Sequence, residues 1–202
     1  MKPVKILSVA GTVNKNSLSE KINVEIMKKI IKLDPMAMAT VLNTANSEFN
    51  KNVLGANNFA EFFDKTNSDE WIEKLHDTDI LILSTPMTNF NYTAGIKNFI
   101  DAIAVANKTF SYKYSEKGGS IGLLDKLKVI IVGTQGAPEG WYPFGNFIKN
   151  LKGTFKFLGA KKIETILVAG TKVAPRSEQT HEEILEEIDP QLDKIVAKIL
   201  KK

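Results

Sequence analysis

Asp79-Ile-Leu-Ile-Leu-Ser84 places four large aliphatic residues in succession between two polar ones, and Thr85-Pro86 follows directly. A run this short and this apolar predicts a strand that is buried on both faces. Four other segments predict further strands, the second of them with the weakest pattern: Val4–Ala10, Ala37–Leu42, Lys128–Thr134 and Ile163–Ala169. The chain is therefore expected to build a sheet of five strands.

Helical patterns lie between these strands. The first is defined by apolar residues that recur at helical spacing from Leu18 through Ile22 and Ile26. The predicted helices are Ser17–Leu33, shorter pieces that end at His76, Thr93–Ala106, Phe144–Leu158 and roughly Glu178–Lys201, the last interrupted or kinked at Asp189-Pro190. Because parallel strands need connections that cross a face of the sheet, the alternation predicts an α/β fold with helices on both faces.

One segment departs from this alternation. Phe110–Gly122 alternates between apolar and polar residues and contains Gly118-Gly119, a dipeptide that suits a hairpin turn. We therefore expect a β-hairpin, inserted near residues 109–122, within a single domain that covers residues 1–202.

The composition limits the classes of function. Hydrophobic residues make up 43% and charged residues 25% of the 202 residues, which is typical of a soluble globular protein. The absence of cysteine excludes disulfides, thiol catalysis and thiolate metal sites. Arg176 is the only arginine, so the forked cation that reads phosphates and base edges is nearly missing. We expect a cytoplasmic protein with no nucleic-acid partner and, since no apolar run could span a bilayer, no membrane partner.

Ligands of open parallel sheets bind beyond the carboxyl ends of the strands. The first loop there, Gly11–Ser19, brings hydroxyls and backbone amides to the start of a helix, where a phosphate is favoured. Ser17 and Glu20 also fit an ordinary capping box, which needs no ligand. This loop alone therefore leaves both interpretations open.

The second loop, Thr85–Thr93, carries Met87, Phe90 and Tyr92 where a solvated loop is expected. A flat conjugated ring would cover such side chains, although they could equally fold back into the core. The third loop, Gln135–Pro143, has small residues directly after a strand, which suits either close approach to a ligand or a plain turn.

Several motifs in these segments occur together in one known family. They are Pro86-Met-Thr-Asn-Phe-Asn91, Lys97-Asn98-Phe99, Thr109-Phe-Ser-Tyr112, Thr134-Gln-Gly-Ala137 and Phe155-Lys-Phe-Leu-Gly159. With them the chain resembles the FMN-dependent NADH-azoreductases, a branch of the flavodoxin-like quinone reductases, over nearly its whole length. The resemblance implies a flavodoxin-like doubly wound sheet in the order 2-1-3-4-5.

The resemblance also implies a role for individual residues. The implied FMN contacts are Ser17, Leu18 and Ser19 at the phosphate, Pro86, Met87, Thr88, Asn89 and Phe90 at the flavin ring, and Thr134, Gln135, Gly136 and Ala137 at its pyrimidine side. Phe90, Tyr112 and Phe157 resemble the aromatic residues of a substrate pocket that the family forms across a homodimer interface. The chain departs from the family at Ala10, Thr88 and Ala137, and at Gln135, where an arginine and its charge are lost.

The implied reaction is a ping-pong transfer of two electrons from NADH through FMN to a quinone or an azo compound. No catalytic side chain is predicted, because the cofactor performs the chemistry. His76 and His181 are expected on solvated helix surfaces, and two separate histidines predict no metal site. Three alternatives remain: a flavodoxin-type electron carrier, a flavin reductase that releases reduced FMN, and a regulatory domain without flavin.

Overall fold

A computed structural model describes residues 2–113 and 121–201. Its strands are β1 (Lys5–Ala10), β2 (Met38–Asn43), β3 (Ile80–Pro86), β4 (Phe110–Ser111), β5 (Ile121–Gly122), β6 (Lys128–Thr134) and β7 (Lys162–Val168). Its α-helices are α1 (Leu18–Leu33), α2 (Glu48–Lys51), α3 (Phe59–Lys65), α4 (Ser68–Asp77), α5 (Ala94–Ile103), α6 (Phe147–Phe157) and α7 (His181–Leu200), and single 3-10 turns lie at Thr44–Asn46 and Arg176–Glu178. None of the helices in these two ranges combines the length and the apolar character needed to cross a bilayer.

Five strands form one parallel sheet in the order β2-β1-β3-β6-β7. Counted within this sheet, the order is the predicted 2-1-3-4-5, so the flavodoxin-like fold class is confirmed. The register pairs Ala10 with Ser84, Pro86 with Thr134, and Thr134 with Val168. Four strands therefore end at the same edge, and the loops that follow them lie side by side.

The two faces of the sheet are covered by unlike layers. Helices α2 to α6 pack on one face through fully buried aromatic residues, among them Phe49, Phe99 and Phe155. Trp71 of α4 joins this layer, with its ring 5.9 Å from the ring of Phe49. Helices α1 and α7 cover the other face with aliphatic side chains. Burial of these apolar surfaces is the main source of stability for the fold.

Helices α1 and α7 run in the same direction along their shared face. Lys21, in the first turn of α1, pairs with Glu182, in the first turn of α7, at 2.9 Å. Further along both helices, Lys29 pairs with Asp189 and Asp193 at 2.7 Å each. Ion pairs at matching heights bring both helix N-termini to the edge where the strands end.

The inserted hairpin begins and ends as predicted. Phe110 pairs with Gly122 and Ser111 with Ile121 in antiparallel register. The predicted turn at Gly118-Gly119 lies outside the described residues.

Four helix boundaries or breaks differ from the prediction. Helix α5 ends at Ile103 rather than Ala106, because the backbone of Ala104, with φ −84° and ψ 73°, leaves the helical conformation. Helix α6 begins at Phe147 rather than Phe144, because the Asn146 side chain accepts a hydrogen bond from the Lys149 amide at 2.9 Å and caps the helix. Helix α7 begins at His181 rather than near Glu178, because a capping box closes its first turn. The interruption predicted at Pro190 is wrong: α7 is continuous through this residue, which is exposed.

Candidate functional site

A cavity of about 430 Å³ lies at the carboxyl edge of the sheet. Its size is within the usual range for sites that hold a small ligand or cofactor. All three predicted loops contribute to its wall. Of the residues that the resemblance implies, it is lined by Ser17, Leu18, Pro86, Met87, Thr134, Gln135 and Gly136. Ser19, Thr88, Asn89, Phe90 and Ala137 lie next to these residues in the chain but outside the lining.

The first loop ends in a polar cap at the N-terminus of α1. Ser17 and Ser19 are buried, and their hydroxyl oxygens are 3.1 Å apart. The Ser17 hydroxyl accepts a hydrogen bond from the Glu20 amide at 3.3 Å. The Glu20 carboxylate accepts a hydrogen bond from Asn43 Nδ2 at 2.8 Å. Only half of the capping box is therefore formed at this helix, and the carboxylate turns to β2.

A buried asparagine fixes α1 against the strands beneath the cavity. Asn23 Nδ2 donates to the carbonyl oxygens of Val9 and Ile82, at 3.2 and 3.1 Å, and to Ser84 Oγ at 3.0 Å. Asn23 Oδ1 accepts from Ser8 Oγ at 2.7 Å. A fully buried amide with all these partners ties α1 to β1 and β3, and so sets where the loops after these strands begin.

The second loop contains a tight turn of unusual backbone conformation. The Thr88 amide donates to the Asn91 carbonyl at 2.7 Å, and the Asn91 amide returns a bond of 3.2 Å. The central residues, Asn89 and Phe90, have φ angles of 46° and 71°. Two left-handed residues between such bonds define a type I′ turn, which rarely accepts a large aromatic residue.

The aromatic residues of this loop divide into two groups. Met87 and Tyr92 pack against the core, as the alternative without a ligand predicted for them. Phe90 instead stays 45% exposed, and its ring lies 5.1 Å from Tyr142 and 5.0 Å from Phe144. The loop therefore displays one exposed aromatic residue, three positions after Met87 of the cavity lining.

Further aromatic residues lie beyond these rings. Trp141, in the loop after β6, is 59% exposed. The rings of Tyr112 and Phe157, the other residues implied for the substrate pocket, are 6.5 Å apart, and both lie against Phe110. The structure thus gives Phe90 and the pair of Tyr112 and Phe157 different ring neighbours.

The third loop is closed by its own glutamine. Gln135 Nε2 donates to the carbonyl oxygens of Ala137 and Pro138, at 3.0 and 3.1 Å. The Lys172 amide donates to the Gly136 carbonyl at 2.9 Å. A Cβ atom on Gly136 would lie 3.2 Å from the Lys172 side chain, so this glycine allows the close approach of two loops.

The connection from β7 to α7 forms a further wall of the cavity, and this wall was not predicted from the sequence. It contributes Lys172, Arg176, Gln179 and His181. Arg176 is held in place by the Ala169 carbonyl, to which Nη1 donates at 3.2 Å, and by an ion pair with Glu187. Two cations thus stand near the site where the loss of an arginine at position 135 left none expected. The available signal was that β7 ends at the same edge as the other strands.

The prediction of a solvated surface position was wrong for His181. This residue is half-buried, and its Nδ1 atom is buried without a hydrogen-bond partner among the described residues. Burial lowers the pKa of His181, and the nearby positive charge of Lys21 lowers it further. His76 is exposed as predicted, with Nε2 at 2.8 Å from the Lys108 carbonyl.

Comparisons with known proteins agree with this fold. A family described as having a flavodoxin-like fold matches residues 4–192. The chain is 43% identical to an FMN-dependent NADH:quinone oxidoreductase of Malacoplasma penetrans, over 89% of this chain and 85% of that protein. It is also 43% identical to the protein of the same name from Mycoplasma mobile, over 94% of this chain and 95% of the relative.

Two solved structures share the architecture. An azoreductase from Bacillus anthracis superposes with a TM-score of 0.79 at 19% identity, over 96% of this chain and 99% of the other. An FMN-dependent NADH-azoreductase from the same species, solved in complex with FMN, gives a TM-score of 0.76 at 19% identity, over 98% of this chain and 100% of the other. At this identity the likeness concerns the fold.

Proposed function

The chain belongs to the flavodoxin-like family and, within it, to the FMN-dependent NADH:quinone oxidoreductases, and we propose its function from that premise. The proposal is that the chain is an FMN-dependent oxidoreductase that passes electrons from NADH to a quinone or an azo compound. The cofactor and the donor are supported by relatives named for both at 43% identity. The observation that carries the proposal is the single cavity in which the three loops predicted to contact FMN meet.

The residues of the cavity fit FMN. The Ser17 hydroxyl and the free amides of the first turn of α1 suit a phosphate, since unpaired N–H groups and the helix dipole both favour an anion. Pro86 and Met87 offer apolar surface to a flat ring. Gly136 leaves its backbone open to close approach, and Lys172 brings positive charge to the same lining.

The proposed contacts follow the order of the loops. The FMN contacts are Ser17, Leu18 and Ser19 at the phosphate, Pro86, Met87, Thr88, Asn89 and Phe90 at the ring, and Thr134, Gln135, Gly136 and Ala137 at the pyrimidine side. When bound, FMN supplies the redox chemistry, because its ring accepts a hydride and later gives up two electrons. The share of the protein is to hold two flat molecules face to face, which makes their reaction effectively unimolecular.

The turn at Thr88–Asn91 provides backbone amides and an aromatic ring that can orient the flavin and the substrates. Its own two hydrogen bonds use the amides of Thr88 and Asn91 and leave those of Asn89 and Phe90 for a ligand. The Phe90 ring offers a face on which the nicotinamide or the acceptor can stack. Both substrates need this same place, so NAD⁺ leaves before the acceptor enters, and the proposed order is ping-pong.

We also propose a cytoplasmic homodimer whose substrate pocket is completed by Tyr112 and Phe157. Exposed aromatic residues between β6 and α6 support a shared interface, since Trp141 is 59% and Phe144 is 72% exposed. Sedimentation of the FMN-loaded protein tests this: a monomer at micromolar concentration would contradict the dimer while leaving the reaction itself open to its own test.

An anaerobic titration with NADH tests the function. The protein is incubated with FMN, desalted and titrated while the visible flavin absorbance is followed. We expect stoichiometric bleaching and full recovery of colour on addition of a quinone or an azo dye. Flavin that is retained but not bleached would indicate an electron carrier. Flavin that is released when it is reduced would indicate a flavin reductase. Flavin that is lost on desalting would mean that the chain does not hold FMN tightly.

A further inference from the structure

Two helix N-termini meet at the cavity. The ion pair between Lys21 and Glu182 holds the first turns of α1 and α7 side by side, and Ser17 and His181 at these two ends both line the cavity. Each N-terminus carries a partial positive charge, and at α7 the first-turn carboxylates of Glu182 and Glu183 offset part of it. An anion in the cavity would therefore lie near two helix dipoles rather than one.

The side chains around this point add positive charge. Lys172 and Arg176 line the cavity with His181, and none of the described residues in its lining is a carboxylate. Arg176 shares its charge with Glu187 outside the lining, and Lys21 shares its charge with Glu182. The excess positive charge at the cavity therefore comes mainly from the Lys172 ammonium group and, when it is protonated, from the His181 imidazole.

His181 is incompletely satisfied in the protein without a ligand. A buried ring nitrogen without a hydrogen-bond partner has lost its contact with water and gained nothing in return. In the same setting the pKa of the imidazole is lowered by burial and by Lys21, so the ring is largely neutral near pH 7. A doubly charged phosphate in the cavity would raise the pKa of His181 again, because a nearby negative charge favours the protonated imidazole.

We propose that His181 is a binding residue for the phosphate of FMN, acting from the N-terminus of α7 beside the N-terminus of α1 that carries Ser17. This inference rests on the proposed function, since it assigns one more contact to the same cofactor. The charged groups that act on His181 are Lys21 from α1 and Glu182 on its own helix, and Lys172 and Arg176 from the preceding connection line the same cavity. Binding of the phosphate dianion takes up a proton at His181, which favours FMN binding as the pH falls towards about 6, the pKa at which the phosphate itself begins to take up a proton.

The two histidines of the chain allow a direct measurement. NMR pH titrations of the imidazole protons report both pKa values, and His76→Gln assigns the two signals. We expect FMN to raise the pKa of His181 by about one unit or more and to leave that of His76 unchanged. Riboflavin, which has the same ring system without the phosphate, should leave both unchanged. FMN that binds without shifting the pKa of His181 would overturn the inference.

Binding to matched variants gives a second test. FMN fluorescence titrations at pH 6.0 should show about tenfold weaker binding for His181→Gln, since a hydrogen bond to a charged group is lost. Riboflavin binding should change less than about twofold, and His76→Gln should bind both ligands as the unaltered chain does. Far-ultraviolet circular dichroism checks that each variant is folded. Equal losses for FMN and riboflavin would contradict a phosphate contact, whereas failure of the unaltered chain to bind FMN would refute the proposed function itself.

Discussion

Phe90 adopts a left-handed backbone conformation, φ 71°, in a turn that usually holds glycine or asparagine. Such a conformation costs a residue with a Cβ atom about 1–3 kcal/mol, and it persists where the surrounding structure or the function requires it. Among residues 2–113 and 121–201, the turn at Thr88–Asn91 forms its bridge with itself, so the strained residue presents an exposed ring and does not extend the sheet.

This strain predicts an inverted order of stability at position 90. Phe90→Gly and Phe90→Ala both lose the ring, but only glycine relieves the backbone, so the glycine variant should be more stable by about 1 kcal/mol in urea unfolding. Phe144 belongs to the same ring cluster and has no left-handed conformation, so alanine should be the more stable choice there. The same order at both positions would show that Phe90 is unstrained.

The lowered pKa of His181 predicts a pH effect on the protein without FMN. The unfolded chain binds a proton at this residue near pH 6.5, whereas the folded chain binds it only at lower pH. Stability should therefore fall as the pH decreases from about 7.5 to 6. The Tm of His181→Gln should depend less on pH than the Tm of the unaltered chain, and the Tm of His76→Gln should depend on pH as the unaltered chain does. Parallel curves of Tm against pH for the unaltered chain and both variants would contradict the assignment.

At the scale of elements, the strands were predicted within one or two residues, because apolar and β-branched residues dominate each of them even where a polar residue such as Ser8 or Thr165 interrupts the run. Helix boundaries were less accurate, because the periodicity continues past the residue that caps the backbone. Phe144 fits the apolar pattern of α6, yet Asn146 supplies the cap. The Ser-x-x-Glu pattern at Ser17 predicted a capping box that is half formed, while the complete one at Thr180 and Glu183 was overlooked.

The candidate site likewise has parts that were predicted from the sequence and parts that were not. Loops after β1, β3 and β6 were identified from their own residues, and the structure brings them together. The contribution of the connection after β7 depends on the parallel packing of α1 and α7, which is a property of distant residues such as Lys29 and Asp193. No local pattern contains that information, although the place of β7 in the predicted parallel sheet indicated that the loop after it begins at the same edge.

Continuity of α7 through Pro190 predicts a stabilising substitution. Proline in a helix interior removes one backbone hydrogen bond and crowds the preceding turn. Pro190→Ala should raise the free energy of unfolding by about 1–3 kcal/mol, because the residue is exposed and its ring is not part of the core. Gln191→Ala, at the next exposed position, should change it by less than about 0.5 kcal/mol, and an unstable Pro190→Ala variant would mean that the ring has a packing role.

For the whole molecule, the carboxyl edge is the place where the aromatic layer, the aliphatic layer and the ends of four strands come together. A ligand there contacts loops from both halves of the chain, and so it should stabilise the fold as one unit. Saturation with FMN at about 100 times its Kd corresponds to about 2.7 kcal/mol, which should raise Tm by roughly 5–10 °C for a chain of this size. Adenosine monophosphate, which carries a phosphate without a flavin, is the control and should give no comparable shift; equal shifts would point to a general anion effect.

The two tryptophans also divide the fluorescence of the molecule into two independent signals. Trp71 is enclosed by Phe49, Phe99 and the ammonium group of Lys74, which lies 4.5 Å from its ring, so its emission should be blue-shifted and should change only when the core opens. Trp141 is 59% exposed and lies in the loop after β6, which lines the cavity through Gln135 and Gly136, so its emission in the monomer should be red-shifted. A bound flavin absorbs where indoles emit, and energy transfer should dim Trp141 well before anything unfolds. One emission spectrum could then follow occupancy at its red side and folding at its blue side in a single sample.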